Sequence, residues 1–507
     1  MSKKKVPIVA IVGRANVGKS SLFNALLGRR EAIVADEPGT TRDSITLKAE
    51  LESGKQFWLV DTAGLKAAED DFELTIQEQI TEAADTADVI LVTVDGSSGI
   101  ITDEDRRVTK LAHRSGKKLA LLINKADKAK KSDIVVFERL GITPMIKTSA
   151  TQKLGFENLE EILEDLLPPA MIIEDDDRVR IALLGRPNVG KSSMYNVMAK
   201  KQQAIVADVA GTTRDVNHTI VRYKGRELEL LDTAGIRRPG RIERGVEKFS
   251  VLRSLSAIEQ SDVCLLLIDA GETSVALDQK IGGLIKEAGK GLIIVISKLD
   301  TIKQMDFNTE KEDAAIEEAA IPTGKSAKAK RDSIKAVEKA VEAKKEKLLD
   351  MHTRVSRQIQ SDFNFTPWAP LIFTSSETGK NISKIFDLVL EIMEKRTQKI
   401  ETRDLNQWLK TVTDRHPPAG LKNRQPKLRY MVKEIDNPIP AFKIFGSQTK
   451  FLHWSYKRHM DRMMRERWDF TGTPLQLWFI DRDEDKPKKF KNNGNRDSQA
   501  RRKKDLN

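Results

Sequence analysis

One octapeptide occurs twice in this chain, and the motifs behind it repeat with it. Gly13-Arg14-Ala15-Asn16-Val17-Gly18-Lys19-Ser20 returns as Gly185-Arg186-Pro187-Asn188-Val189-Gly190-Lys191-Ser192. Gly39-Thr40-Thr41-Arg42-Asp43 returns as Gly211-Thr212-Thr213-Arg214-Asp215, and Asp61-Thr62-Ala63-Gly64 as Asp232-Thr233-Ala234-Gly235. The offsets are 172, 172 and 171 residues. Solenoid repeats run to roughly 20–50 residues, so a period this long marks a duplicated domain.

Each copy alternates short apolar runs with polar, helix-compatible stretches. The strand candidates are Val6–Val12, Phe57–Val60, Val89–Val94 and Leu119–Ile123, then Arg180–Leu184, Glu227–Leu231, Val263–Ile268 and Leu292–Ile296. Continuous apolar strands joined by crossover helices imply a largely parallel sheet covered on both faces. Between the copies, Pro168-Pro169 and the acidic run Glu174–Asp177 read as a solvated linker. The second copy is longer. Ser297 and Ser375 are 78 residues apart, whereas Asn124 and Ser149 are separated by 25. The extra Lys/Ala/Glu-rich stretch, at about 303–350, carries Ile334, Val337, Val341 and Leu348 at helical spacing and reads as a surface helical hairpin.

Gly-x-x-x-x-Gly-Lys-Ser directly after a strand is a phosphate-binding loop. Its glycines permit a tight turn whose N–H groups surround phosphate oxygens. Lys19 or Lys191 would reach the β- and γ-phosphates, and the Ser20 or Ser192 hydroxyl would meet Mg²⁺. In the Asp-Thr-Ala-Gly motifs, the Asp61 or Asp232 carboxylate would hold the same metal and the Gly64 or Gly235 N–H would meet the γ-phosphate. Thr41 and Thr213 sit in polar loops suited to segments ordered by metal and γ-phosphate. Catalytic roles are therefore expected of Lys19, Thr41, Gly64, Lys191, Thr213 and Gly235. The Mg²⁺ ligands expected are Ser20, Thr41, Asp61, Ser192, Thr213 and Asp232.

The base is read by Asn124-Lys125-Ala126-Asp127. An Asp carboxylate accepts two hydrogen bonds from the ring N–H and exocyclic amine of guanine, and adenine offers no such pair. GTP and GDP are the expected ligands. The second copy has Ser297-Lys298-Leu299-Asp300, so the Asp persists while one bracing amide is lost, and looser binding is expected there. Ser149 and Ser375, in Thr148-Ser149-Ala150 and Thr374-Ser375-Ser376, look like loops closing over the base. Thr62, Ala63 and Leu65, with Thr233, Ala234 and Ile236, complete the expected nucleotide contacts.

Charge points to a further partner. Of 507 residues, 87 are Lys or Arg and 75 Asp or Glu, a net of +12. Residues 401–507 hold 25 basic and 14 acidic residues, so nearly all the excess lies in the last fifth of the chain. An anionic partner belongs there. The lone cysteine, Cys264, sits in an apolar run and points neither to disulfides nor to thiol chemistry. No apolar run approaches the roughly 18 residues of a membrane span, and the expected compartment is the cytoplasm.

These motifs resemble those of translation-factor-like GTPases. Two complete G domains followed by a basic module are similar to the Der (EngA) family of bacterial ribosome-assembly GTPases, over about residues 6–481. The resemblance implies an α/β fold class: two P-loop NTPase (G) domains with largely parallel sheets, followed by an α+β KH-like domain. The boundaries expected are 1–168 for the first G domain, 169–178 for an acidic linker, 179–399 for the second G domain, 400–481 for the KH-like domain and 482–507 for a basic disordered tail. An amphipathic helix over Asp404–Asp414, strands over Leu428–Ile435 and Ala441–Phe445, a basic helix over Ser455–Trp468 and a strand over Leu475–Ile480 fit the KH-like order. The Gly-x-x-Gly clamp of ordinary KH modules is missing, because Gly446-Ser447-Gln448-Thr449 lacks the second glycine. Recognition of RNA shape and phosphates is therefore expected, with strong salt dependence.

The resemblance also implies partners and chemistry. The partners would be the large (50S) ribosomal subunit and its rRNA, with no membrane and no DNA, and the chain would act as a monomer. Many GTPases place a Gln after Asp-x-x-Gly to orient water, but Leu65 and Ile236 stand there and cannot do so. Related GTPases with this replacement use K⁺ near the β- and γ-phosphates, held by the loop Asn, here Asn16 and Asn188. The reading is a GTP-hydrolysing switch in large-subunit assembly. The alternative is mainly an rRNA-binding assembly factor whose second G domain is a weak or structural nucleotide site. A tRNA-modifying or membrane-linked GTPase would show a cysteine-containing C-terminus or a membrane segment.

Overall fold

Five consecutive apolar residues form strand β2 (Ile8–Val12), and all five are buried. Successive strand side chains alternate faces, and the core follows that rule. Ile8, Ala10 and Val12 join one hydrophobic cluster, whereas Val9 and Ile11 join another on the opposite face. A strand buried on both sides needs cover on both sides, which fits a parallel sheet with crossover helices.

A computed structural model of the chain describes residues 3–29, 46–62, 76–130, 134–168, 171–173, 178–200, 218–231, 251–272, 276–298, 352–421, 424–435 and 437–481. The expected insertion at 303–350, the acidic run 174–177 and the tail 482–507 lie outside them. The chain divides into two units, Met1–Thr397 with Phe470–Pro474, and Gln398–Asp469 with Leu475–Asn507.

The first unit holds both copies. After β1 (Lys3–Lys5) and β2 come α1 (Lys19–Arg29), β3 (Thr46–Glu50), β4 (Gln56–Asp61), α2 (Ile76–Thr86), β5 (Val89–Asp95), α3 (Asp103–Arg114), β6 (Lys118–Asn124), β7 (Met145–Lys147) and α4 (Phe156–Leu166). The sheet runs β3-β4-β2-β5-β6-β7, parallel except for the antiparallel β3. The second copy follows β8 (Met171–Ile173) with β9 (Val179–Leu184), α5 (Lys191–Lys200), β10 (His218–Tyr223), β11 (Arg226–Leu231), α6 (Val251–Gln260), β12 (Val263–Asp269), α7 (Ala276–Glu287), β13 (Gly291–Ser297), β14 (Leu371–Phe373) and α8 (Ile382–Thr397). Its sheet order, β10-β11-β9-β12-β13-β14, is that of the first. Cys264 lies buried in β12, where burial pushes its thiol up to about 12, too high for a nucleophile.

Two contacts within this unit were not expected from sequence. Lys3–Lys5 pair antiparallel with Met171–Ile173, so strand β8 lies inside the stretch read as a linker. The two copies also share one core. Helix α2 packs on α6, and a single cluster includes Ile8, Trp58 and Ile80 together with Leu252, Leu255 and Ile258. Across it the buried Trp58 indole N–H donates to the Glu259 carboxylate at 2.7 Å, and the Val6 N–H donates to the other oxygen at 3.3 Å.

The second unit orders α9 (Thr402–Arg415), β15 (Lys427–Glu434), β16 (Ala441–Ser447), α10 (Trp454–Arg467) and β17 (Gln476–Asp481). Strand β16 is antiparallel to β15 and parallel to β17. This is the α-β-β-α-β order read from sequence, with ends shifted by a few residues. The turn after β16 is tied down without a second glycine: Gln448 takes φ 59, and the Thr449 N–H donates to Asp481 at 2.8 Å.

A buried carboxylate that loses its donors, or donors that lose it, cost about 1–3 kcal/mol. Glu259→Ala is therefore expected to lower the unfolding free energy by that order, read as a lower urea midpoint, and Trp58→Phe to lower it less. Midpoints unchanged in both variants would contradict the shared core described above.

Candidate nucleotide sites

Each phosphate loop joins a buried central strand to a helix, Val12 to Lys19 and Leu184 to Lys191. A Cβ at Gly13 would lie 2.4 Å from the Thr93 carbonyl oxygen, and one at Gly185 would lie 2.6 Å from that of Leu267. No other residue fits at either place. Asn16 and Asn188 take left-handed φ of 65° and 63°, a conformation Asn tolerates better than most residues. The Lys19 ammonium donates to the Gly13 and Arg14 carbonyls, both at 2.8 Å. Lys191 does the same to Gly185 at 3.1 Å and Arg186 at 2.8 Å. Burial is the main cause that pushes the Lys19 ammonium below its ordinary value, with Asp61 opposing and Arg14 adding to the drop. An anion beside it would relieve that cost.

The Ser20 hydroxyl donates to Asp61 at 2.5 Å, so a hydroxyl and a carboxylate oxygen meet beside the phosphate loop. Hard oxygen donors of this kind suit Mg²⁺. Thr62, fully buried, anchors the motif by donating to the Ile11 carbonyl at 2.8 Å.

The base loops differ in an instructive way. Asn124 donates to the Val17 carbonyl at 2.8 Å and accepts from the Ala150 N–H at 3.3 Å, bridging phosphate loop and closing loop. Ser297 keeps the first bond, donating to Val189 at 2.7 Å. The amide lost in the second copy therefore braced the closing loop, not the phosphate loop. Space changes too. A Cβ at Gly18 would meet Asn124 Nδ2 at 2.4 Å, whereas one at Gly190 would have nothing within 4 Å. The closing loops are alike: the Ser149 hydroxyl accepts from the Gln152 N–H at 3.1 Å, and that of Ser375 accepts from Thr378 at 3.2 Å. Asp127 is exposed in a short 3₁₀ turn, Ala126–Lys128.

Two further pairs recur in both copies and were missed from sequence. The Lys125 ammonium contacts Asp95 at 2.6 Å and the Asn16 carbonyl at 2.9 Å, and Lys298 contacts Asp269 at 2.7 Å. Burial alone would raise the Asp95 carboxyl, but hydrogen bonds from Lys125 and Ser97 hold it below its ordinary value. Behind each loop, an arginine faces a buried aspartate: Arg14 with Asp105 at 3.3 Å, and Arg186 with Asp278 at 3.4 Å. Burial raises Asp278 to about 6 despite that arginine. The repeat itself was the signal, because Asp95 and Asp269, like Asp105 and Asp278, hold matching places in the two copies. Of the expected site residues, Thr41, Ala63, Gly64, Leu65, Thr213, Asp232, Thr233, Ala234, Gly235, Ile236, Leu299 and Asp300 lie outside the described residues. Ala15, Val17, Pro187 and Val189 lie in the loops themselves, and Val17 and Val189 are buried beneath them.

Phosphate loop, base loop and sheet order define a GTP-binding class, twice over. The sequence model of the family described as "50S ribosome-binding GTPase" matches residues 8–125 and again 180–298. Residues 399–479 match "KH-domain-like of EngA bacterial GTPase enzymes, C-terminal". A GTPase Der from Herpetosiphon aurantiacus is 37% identical over 94% of this chain and 97% of its own length. Another, from Chloroflexus aggregans, is 37% identical over 94% of this chain and 98% of its own. The chain belongs to the Der (EngA) family of GTPases. It is a GTP-hydrolysing enzyme with tandem G domains and a KH-like C-terminal domain.

Removing the closing-loop brace is expected to loosen nucleotide. With the other site disabled, Asn124→Ser should release a fluorescent GDP analogue about tenfold faster, a change of about 1.4 kcal/mol. Ser297→Asn should slow release from the second site, since the space beside Gly190 admits the amide. Unchanged stopped-flow rates in both variants would contradict this account of the base loop.

Proposed function

We propose that the chain is a switch for assembly and maturation of the large (50S) ribosomal subunit, driven by GTP at both G domains. The observation that carries this reading is the repeated cradle: a buried lysine on loop carbonyls beside a strand-end glycine, with the base loop joined to it. In this reading Gly13–Ser20 and Gly185–Ser192 wrap the phosphates with backbone N–H groups. Lys19 and Lys191 leave the carbonyls they now hold and move to the β- and γ-phosphate oxygens. Asn124 and Ser297 hold the base loops, from which Asp127 and Asp300 accept the guanine N–H pair. Ser20, Thr41 and Asp61 would hold Mg²⁺, as Ser192, Thr213 and Asp232 would in the second copy. The metal would neutralise charge on the β- and γ-oxygens.

Leu65 and Ile236 cannot position water, so charge compensation must come from elsewhere. K⁺ beside the exposed Asn16 and Asn188 is the proposed source. The boundaries 1–168, 169–178, 179–399 and 400–481 are kept as proposed domains. Loops carrying Thr41 and Thr213 would reorder with γ-phosphate and so alter affinity for rRNA. In the KH-like domain, Arg458 stacks over Trp454 at 4.8 Å and Lys443 over Trp478 at 5.8 Å, which suits phosphate and ribose contact more than base reading. No described helix is long and apolar enough to cross a membrane. Work on ribosomes would put the chain in the cytoplasm, acting as a monomer.

Three measurements test the proposal. Lys19→Ala and Lys191→Ala should each lower GTP turnover by at least about tenfold at their own site; a silent Lys191→Ala would favour the alternative, an rRNA-binding factor with a structural second site. Replacing K⁺ with Na⁺ should slow turnover, and equal rates would remove K⁺ from the mechanism. Purified large subunits should bind the chain more tightly with a non-hydrolysable GTP analogue than with GDP. Equal affinity would remove the switch.

A further inference from the structure

Helices α3 and α7 occupy the same place in the two G domains, and each presents a buried aspartate, Asp105 or Asp278, to its phosphate-loop arginine. That shared residue aligns them, and their outer faces then differ. One, five and nine positions beyond it, α3 carries Arg106, Lys110 and Arg114, whereas α7 carries Gln279, Gly283 and Glu287. The ground beside the helices differs as well. In the second domain a Cβ on Gly282 would lie 2.9 Å from the ring of Phe363 and 3.4 Å from that of Phe365. The matching residue of the first domain, Thr109, instead lines an open cleft of about 470 Å³ with Lys110, His113, Arg139 and Leu140.

Arg106, Arg114 and the same Lys110 and Arg139 are all exposed on this cleft. Among the described residues, none of the four is engaged in an ion pair or side-chain hydrogen bond. Two other lysines of this domain are paired locally, Lys55 with Glu164 at 2.7 Å and Lys125 with Asp95 at 2.6 Å. The acidic residues of α3, Asp103, Glu104 and Asp105, are confined to its first turn. His113 Nε2 lies 3.3 Å from the Leu140 carbonyl, tying the helix to the opposite wall.

Residues four apart on a helix rise by about 6 Å, so Arg106, Lys110 and Arg114 form a row of cations at a spacing close to that of successive phosphates on a strand. Arginine forks suit phosphate oxygens, the lining holds no Phe, Tyr or Trp to stack a base, and its one imidazole, His113, is tied by Nε2 to the Leu140 carbonyl. We propose that this cleft seats the phosphodiester backbone of a folded RNA, on the first G domain alone. The proposal rests on the reading of the chain as an rRNA-binding protein, and it adds a contact outside the KH-like domain.

The test uses the full chain and a labelled rRNA hairpin across a salt series. Each neutralised phosphate contributes about 0.7–0.9 to the slope of log affinity against log salt. The triple variant Arg106→Gln/Lys110→Gln/Arg114→Gln should reduce that slope by about two to three, with RNA-free GTP turnover unchanged. Arg139→Gln, from the opposite wall, should reduce it by about one, and Lys286→Gln on α7 should leave it alone. A triple variant with the wild-type slope would overturn the cleft, as would wild-type chain that binds no hairpin. Displacement of the hairpin by polyglutamate as effective as by polyphosphate would also overturn it, in favour of an acidic protein. Wild-type chain that binds the hairpin but not large subunits would instead sink the ribosomal reading while leaving the cleft intact.

Discussion

The phosphate-loop backbone lies so close to the adjoining strand that a Cβ at Gly13 or Gly185 would sit within 2.6 Å of a strand carbonyl oxygen. That approach fixes where the loop begins. It also aims the lysine six residues on back at the loop carbonyls, and it sets the serine beside the end of β4 in the first copy. A site meant for phosphate must expose N–H groups and desolvate a cation in one small space. The buried strands beneath, apolar on both faces, supply the rigid floor on which this can be done.

Duplication lets each copy serve as a control for the other. Features kept in both, such as Arg14 with Asp105 and Arg186 with Asp278, are held by the architecture of the loop. Features that diverge mark separate uses. Ser297 keeps its bond to the phosphate loop yet leaves the space beside Gly190 open. The outer face of α3 carries Arg106, Lys110 and Arg114 where α7 carries Gln279, Gly283 and Glu287. The copies are also bound together, because the helices α2 and α6, each leading into a central strand, share a core stapled by Trp58 and Glu259.

Much of this was legible in the sequence, for physical reasons. A parallel sheet writes itself as unbroken apolar runs, and phosphate chemistry demands glycine, lysine and serine at fixed spacing. The central strands, the P-loops and the base loops were readable on those grounds, and the α-β-β-α-β module through the family resemblance, whereas β3, β7, β10 and β14 and the order of strands in the sheets were not. The Trp58–Glu259 contact was not, because it joins residues 201 apart and a glutamate reads as a surface residue unless its buried donor is known. Nor was the β1–β8 ribbon, since Lys3–Lys5 is a charge run with no strand pattern. The effect of Ser297 was half readable: composition announced a lost amide, but only geometry tells which of its two bonds survives.

The central claim is that one chain carries two guanine-specific nucleotide sites. Calorimetric titration of nucleotide-free chain with GDP in the presence of Mg²⁺ tests it most directly. Two equivalents of GDP per chain, with no heat from ADP at the same concentration, is the predicted result. A single equivalent, or ADP binding comparable to GDP, would contradict it.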